Sequence, residues 1–399
     1  MRIATLLIFT ALTSACTPSS SVGSGQTSPT SSPAGSAAPN PLVTAPLPIP
    51  TSVLPASAGS GVPLDAPVTD EPANDANSFV PLARGANTPL DQALAEGDAA
   101  YRKGEFVGAQ KAYEKAAGLG PRDPAPIVGL VRTRLSVQKL PVDIAAAPKH
   151  PALEAAVVDL EKAVRLDGKF VPARLELGRT FLVLGRMDEA LAVLRKATDV
   201  GPDIAELHSA FGVALLASGN IEPAARELQI AAGMDANSAV RFQNMGTALF
   251  AAGKPAEAAQ AFERAAAIAP KDARIQNQLG GALLLVGEVD RALGHLQSAV
   301  GRDPKRATYR SNLGYAWDQK GDIDRAIVIY REALALDERL VSAWINLGTS
   351  YAKQRKFREA HEAYDKALAL DPTDPRVKAV ILELEAFERS AGQSDKPTP

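Results

Sequence analysis

The stretch NLGTSYAKQRKFREAHEAYDKALALDP, residues Asn346–Pro372, decides how this chain folds. Its glycine, alanines and tyrosines fall at helical spacings. It carries too few large apolar side chains for a core of its own, so it must lean on something like itself. Stepping through the sequence in 34s finds that partner. Alanine recurs at Ala190, Ala224, Ala258, Ala292, Ala326 and Ala360, and again at Ala197, Ala231, Ala265, Ala299, Ala333 and Ala367. Glycine keeps the same step at Gly178, Gly212, Gly246, Gly280, Gly314 and Gly348. Three registers do not coincide six times by chance. The chain is built of repeats.

The period and the order of residue types resemble the tetratricopeptide repeat: a large residue, Leu-Gly, an aromatic, then alanine, aromatic, alanine and proline. The last unit shows this in Trp344, Leu347, Gly348, Tyr351, Ala360, Tyr364, Ala367 and Pro372. The unit before it carries Leu313, Gly314, Trp317, Ala326, Tyr330 and Ala333, with Glu338 in place of the proline. Extended backwards, the frame gives eight units: 90–123, 124–170, 171–204, 205–238, 239–272, 273–306, 307–340 and 341–374. The first keeps Gly97, Ala109, Tyr113, Ala116 and Pro121; the second has Val131 for the glycine and an insertion at 139–151. The resemblance implies an all-α, right-handed α-solenoid over 90–374, each unit a helical hairpin that covers its neighbour's apolar face. Small residues mark where helices approach closely, and Leu194, Leu228, Phe262, Leu296, Tyr330 and Tyr364 fill the space between. Glycines at Gly185, Gly219, Gly253, Gly287 and Gly321 mark the turns inside the hairpins. In residues 375–390, Val377, Val380, Ile381 and Leu384 share one helical face, which predicts a capping helix, followed by a disordered tail at 391–399.

Ahead of the repeats the texture differs. Residues 16–89 are rich in Ser, Pro, Gly, Ala and Thr, with no charged residue between Cys16 and Asp65 and Phe79 as the only aromatic. Such a composition predicts a disordered tether. The first twenty residues read MRIATLLIFTALTSACTPSS. Arg2 followed by the short apolar run Ile3–Leu12 is a secretory signal pattern, too short to span a bilayer as a helix. LTSAC resembles the bacterial lipoprotein cleavage box, in which residues 1–15 are removed and Cys16 receives the lipid; Thr13 stands where that box carries an aliphatic residue. The resemblance implies anchorage in the cell envelope, at the outer membrane facing the periplasm, because Thr17 and not an aspartate follows the cysteine. The alternative is an ordinary signal peptide with a chance cysteine. Cys16 is the sole cysteine, so no disulfide framework exists within the chain.

Chemistry has no foothold in the pattern. The net charge of −2 gives no bulk attraction for nucleic acid. The four histidines, His150, His208, His295 and His361, fall at unrelated repeat positions, which argues against a metal site. No phosphate-cradling glycine loop and no G-x-S-x-G elbow is present. We therefore expect no catalytic residues, no cofactor, no metal and no small-molecule substrate.

The surface expected to matter is the inner side of the stack, which the first helix of each unit lines in this family. The sixth position reads Asn244, Gln278, Asn312 and Asn346, and the fifth reads Gln243, Asn277, Ser311 and Ile345. A row of amides carries donors and acceptors for the backbone of an extended peptide. Asparagine at the sixth position is also simply the family's commonest choice, and both readings stand. The twelfth position reads Leu182, Leu216, Phe250 and Leu284, an apolar stripe that either receives a partner or packs between helices. Tyr315, Arg274 and Arg179 are further contact candidates. No unit pairs lysine at the fifth position with asparagine at the ninth, so the carboxylate clamp of chaperone-tail receptors is missing. The sequence thus predicts a scaffold that binds a segment of a partner protein, held at a membrane by its lipid. Resemblance to lipoproteins of this architecture implies pilus, secretion-system or envelope assembly. The other possibility is an envelope spacer, or a self-associating scaffold, without a peptide ligand.

Overall fold

The computed structural model describes residues 79–138, 144–145 and 147–394. Cys16, the signal segment and most of the expected tether lie outside the described residues, as do parts of the insertion. The described residues form seventeen helices and no strand. They pair as α1 (Pro89–Arg102) with α2 (Phe106–Leu119), α3 (Pro124–Val137) with α4 (Pro151–Leu166), α5 (Val171–Leu184) with α6 (Met187–Val200), and α7 (Ala205–Ala217) with α8 (Ile221–Met234). The next four pairs are α9 (Ala239–Ala251) with α10 (Pro255–Ile268), α11 (Ala273–Leu285) with α12 (Val289–Arg302), α13 (Ala307–Gln319) with α14 (Ile323–Leu336), and α15 (Val341–Lys353) with α16 (Phe357–Leu370). Each pair falls inside one unit of the sequence frame, save that α1 begins one residue ahead of the first unit, and α17 (Pro375–Ser394) follows.

Local chemistry sets the helix ends. Thr88, Asp123 and Asp272 accept a backbone N–H of the first turn and so cap α1, α3 and α11. Proline at the start of α1, α3 and α4 supplies a helical φ where no intrahelical N–H bond is lost. The chain reverses inside most hairpins through a glycine with φ between +71° and +90°, as at Gly253 and Gly321. In the last hairpin Arg355 takes that left-handed place with φ 58°, which costs a side-chain-bearing residue energy that glycine escapes.

The 34-residue glycines have a packing cause. A Cβ built at Gly178, Gly212, Gly246, Gly280, Gly314 or Gly348 would come within 2.4–2.8 Å of the side chain sixteen residues on, from Leu194 to Tyr364. Those side chains fill the centre of each hairpin and are almost wholly buried. Glycine is retained because the partner helix lies too near for even a methyl group. The second hairpin departs from this. Gly129, not residue 131, makes the close approach, and it does so to Tyr113 of the preceding hairpin.

Each first helix packs its backbone close to the first helix of the next hairpin, from α1–α3 through to α13–α15, whereas the backbones of successive second helices stay apart and only long side chains such as Arg291 and Glu263 bridge them. The first helices therefore form the inner, tighter layer and the second helices the outer one. Helix α17 meets both α15 and α16, occupying the place of a ninth first helix, with Val377 and Leu384 buried beneath it. It continues to Ser394, so part of the stretch expected as tail is helical.

Candidate protein-binding face

The inner layer carries every residue that the sequence nominated for contact, and the structure sorts them differently. Asn244, Asn277, Gln278 and Asn312 are fully buried, Gln243 is 3% exposed and Asn346 7%. They do not line an open groove. Gln243 Nε2 donates to Gln278 Oε1 at 2.8 Å, Gln278 Nε2 to Thr247 Oγ1 at 3.3 Å, and Asn312 Nδ2 to Asn277 Oδ1 at 2.9 Å. Each of these bonds crosses from one first helix to the next. Because the inner layer has the smaller radius, the fifth and sixth positions are pinched between converging helices. An amide there must find a partner inside the protein or cost the fold its desolvation energy. The expected peptide ladder is therefore corrected to a set of internal staples between hairpins.

The twelfth-position stripe divides. Leu182 is fully buried and Leu284 is 8% exposed, whereas Leu216 and Phe250 are half-buried. The insertion contributes to the difference. Backbone N–H groups of Ala145 and Ala147 donate to the carbonyls of Leu182 and Val183 at 2.9 and 3.3 Å, closing over the end of α5. Leu182 and Val183 are thus core, not contact residues. Beyond the insertion, Leu216 and Phe250 are followed by Leu285 at 37% exposure and by half-buried Tyr315. Burial, and then the nearby Asp318 carboxylate, push the Tyr315 hydroxyl pKa upward, so it stays a neutral hydrogen-bonding group at neutral pH. Around these residues the ninth position is uncharged, with Val213, Thr247 and Gly281, while the second position carries Glu206, paired with Arg241, and half-buried Arg274. Asp318 is buried and accepts from Ser350 Oγ at 3.0 Å and from Lys353 Nζ.

The first three hairpins hold what the sequence did not announce. Residues 79–88, placed by composition in the tether, lie along the inner face and run opposite to α1. Leu82 is fully buried. The N–H groups of Leu82 and Ala83 donate to Asp98 Oδ2 at 2.7 and 3.0 Å. Those of Arg84 and Ala86 donate to the two oxygens of Asp91 at 2.6 and 2.8 Å. Arg132 Nη1 donates to the carbonyl of Val80 at 2.9 Å. Phe79 stacks on Tyr101 with ring centroids 5.8 Å apart, and the Arg132 guanidinium lies 4.9 Å from the centre of its ring. Arg84 pairs with both oxygens of Asp123 at 2.7 and 3.0 Å.

Arg132 also donates Nε to Glu176 Oε1 at 2.9 Å, and Arg179 lies 3.4 Å from the same oxygen. Burial alone would raise the Glu176 pKa. The two guanidinium groups outweigh it and hold the carboxyl below its ordinary value. Asp123 is held low in the same way, burial being overcome by the bonds from Arg84 and the Ala125 N–H. The clue in the sequence is positional. Asp91 and Asp98 put carboxylates at both the second and ninth positions of one unit, an arrangement no other unit has.

Among the described residues no group of three or more His, Cys, Asp and Glu is placed to hold a metal ion, and no helix is long and apolar enough to cross a membrane.

Comparison with known families and structures agrees with this architecture. Four family models, each described as tetratricopeptide repeat, match residues 152–210 and 249–313, 209–273, 306–343, and 341–374. No curated protein matches the chain. Among solved structures, a chain of the APC/C hetero-tetramer Cut9-Hcn1 is similar at 17% identity and a TM-score of 0.53, over 75% of this chain and 57% of its own length. This chain thus spans little more than half of that one. The pilF protein of Pseudomonas aeruginosa is similar at 18% identity and a TM-score of 0.45, over 54% of this chain and 100% of its own. YrrB, described as having an unusual peptide-binding site, is similar at 22% identity and a TM-score of 0.38, over 47% of this chain and 96% of its own.

Proposed function

Since the chain belongs to the tetratricopeptide repeat family, a scaffold suited to protein–protein interaction, we propose that it binds a segment of a partner protein along its inner face. The observation that carries this is the apolar run on that face, where Leu216, Phe250, Leu285 and Tyr315 remain partly open while the amides around them are buried and bonded to one another across hairpins. Apolar groups left accessible on an otherwise well-packed layer gain most from covering by a partner. The preferred ligand is an apolar segment, extended or helical, laid across hairpins four to seven. Cys16 after the signal pattern makes the protein an exported lipoprotein of the outer membrane, facing the periplasm. Its task is then to hold a component of a pilus, a secretion system or another envelope assembly.

A photo-crosslinking amino acid at position 250 tests the binding face, with one at position 328 on the outer helix α14, where Val328 is 54% exposed, as the control. A discrete crosslinked species from position 250 alone supports the reading, and equal or no crosslinking from the two overturns it. Detergent partitioning of the wild type against Cys16→Ser tests the anchor. Unchanged partitioning removes it.

A further inference from the structure

The inner face of hairpins one to three is already built as a site for an extended peptide, and the chain fills it with itself. Four backbone N–H groups of residues 82–86 end on two carboxylates, and the carbonyl of Val80 takes the Arg132 guanidinium. These contacts read main chain, which every extended segment offers. The side chains add a short code: an aromatic residue against Tyr101 and Arg132, and a leucine in a closed pocket three residues later. Proline is excluded at positions 82, 83, 84 and 86, where an N–H is needed, but is tolerated at exposed Pro81.

The occupant is held lightly. Of its side chains only Leu82 is fully buried, while Pro81, Arg84, Gly85 and Ala86 are exposed. A hinge joins it to the helix behind it: Gly85 and Asn87 have φ of 73° and 49°, and Thr88 caps α1 through its own hydroxyl. The segment can therefore leave without unravelling the helix. Its departure uncovers charged groups that water solvates readily, together with the Leu82 pocket and the parts of the core that Phe79, Val80 and Ala83 half-cover. Short segments docked this way sit at the low end of local stability.

We propose that this face is an exchangeable binding site for an extended segment of a partner protein, carrying an aromatic residue three places before a leucine, and that Phe79–Ala86 keeps it closed until such a segment displaces it. This rests on the reading of the inner face as partner-binding and gives that reading a second address, in hairpins one to three.

The test uses the full chain and a fluorescein-labelled synthetic peptide of residues Phe79–Ala86. Leu82→Asp should release the chain's own segment, so that fluorescence anisotropy reports peptide uptake at least tenfold tighter than by the wild type. Adding Asp98→Ala to Leu82→Asp should abolish uptake, and a peptide with aspartate for its leucine should not bind. The proposal fails if the Leu82→Asp chain, with its helix content intact by circular dichroism, takes no peptide. It fails equally if the Asp98→Ala addition changes nothing, or if Leu82→Asp chains pair with one another in place of taking peptide. Should Leu82→Asp unfold, amide hydrogen exchange on the wild type decides. The amides of residues 82–86 should be protected yet open faster than those of α1, and equal protection overturns the proposal. Crosslinking at position 250 is independent of all these residues, so failure here leaves the middle of the face standing.

Discussion

Replacing Gly246 by alanine and Phe262 by alanine, singly and together, tests the reason for the repeat itself. The Cβ of Gly246→Ala would stand 2.6, 2.8 and 2.9 Å from three atoms of the Phe262 ring, whereas ordinary contact begins near 3.4 Å. Ring or helix must then give way by about 0.8 Å, the difference between 3.4 and 2.6. The ring is fully buried, so it has nowhere to go cheaply. Overpacking of this size costs about 1–3 kcal/mol. Phe262→Ala removes the ring and leaves a cavity, at about 3–5 kcal/mol. In the double variant the new methyl group meets no ring and fills part of the hole. The two losses should then fall short of additivity by about 0.5–3 kcal/mol, as for residues in contact. Denaturant unfolding of the full chain followed by circular dichroism measures the sum. Hydrogen exchange over α9 and α10 localises it, because long repeat arrays need not unfold in a single step. An additive double variant, or a Gly246→Ala chain as stable as the wild type, would refute the close-approach account.

Three further outcomes are expected. Arg241, 1% exposed, joins Glu206 at 2.6 Å and also pairs with Asp235, so Arg241→Ala should destabilise by about 3–5 kcal/mol through the buried charge left behind, read from the denaturation midpoint. Asn312→Ala should cost about 1–3 kcal/mol by depriving buried Asn277 of its donor, and a thermally unchanged variant would return that amide to the role of a peptide contact. Glu176 has a folded pKa below its unfolded value near 4, so its stabilisation is complete above that value and fades as pH falls through the folded one. Melting temperatures across pH 7 to 3 should show the gap between wild type and Glu176→Gln narrowing on acidification. A widening gap would reverse the sign assigned to the Arg132 and Arg179 fields.

Where the sequence was read well, the physics was periodic. The glycines from Gly178 to Gly348 and their partners from Leu194 to Tyr364 repeat because each hairpin solves the same contact, and a contact solved many times is legible in one dimension. Where it was read wrongly, the deciding quantity was a distance between layers. The positions of Gln243, Asn277, Gln278 and Asn312 are correctly assigned to the inner helices, but the period does not say how close those helices come. Their pinching turns a row of amides from contacts into staples. Leu182 was lost to an insertion whose docking has no periodic signature. Phe79–Thr88 was misplaced for a related reason: composition averages over a window, while docking is decided by a leucine pocket and two carboxylates that no window weighs together.

The sequence by itself determined the eight hairpins, their helix ends and their helical cap, since these follow from spacing, capping residues and the absence of side chains at close approaches. Only the tertiary structure decided which part of the inner face is open, because that depends on the convergence of the first helices and on a ten-residue stretch folding back over Asp91, Asp98 and Arg132. Periodicity is a property of neighbours along the chain, whereas occupancy of a surface is settled by groups that only the folded chain brings together.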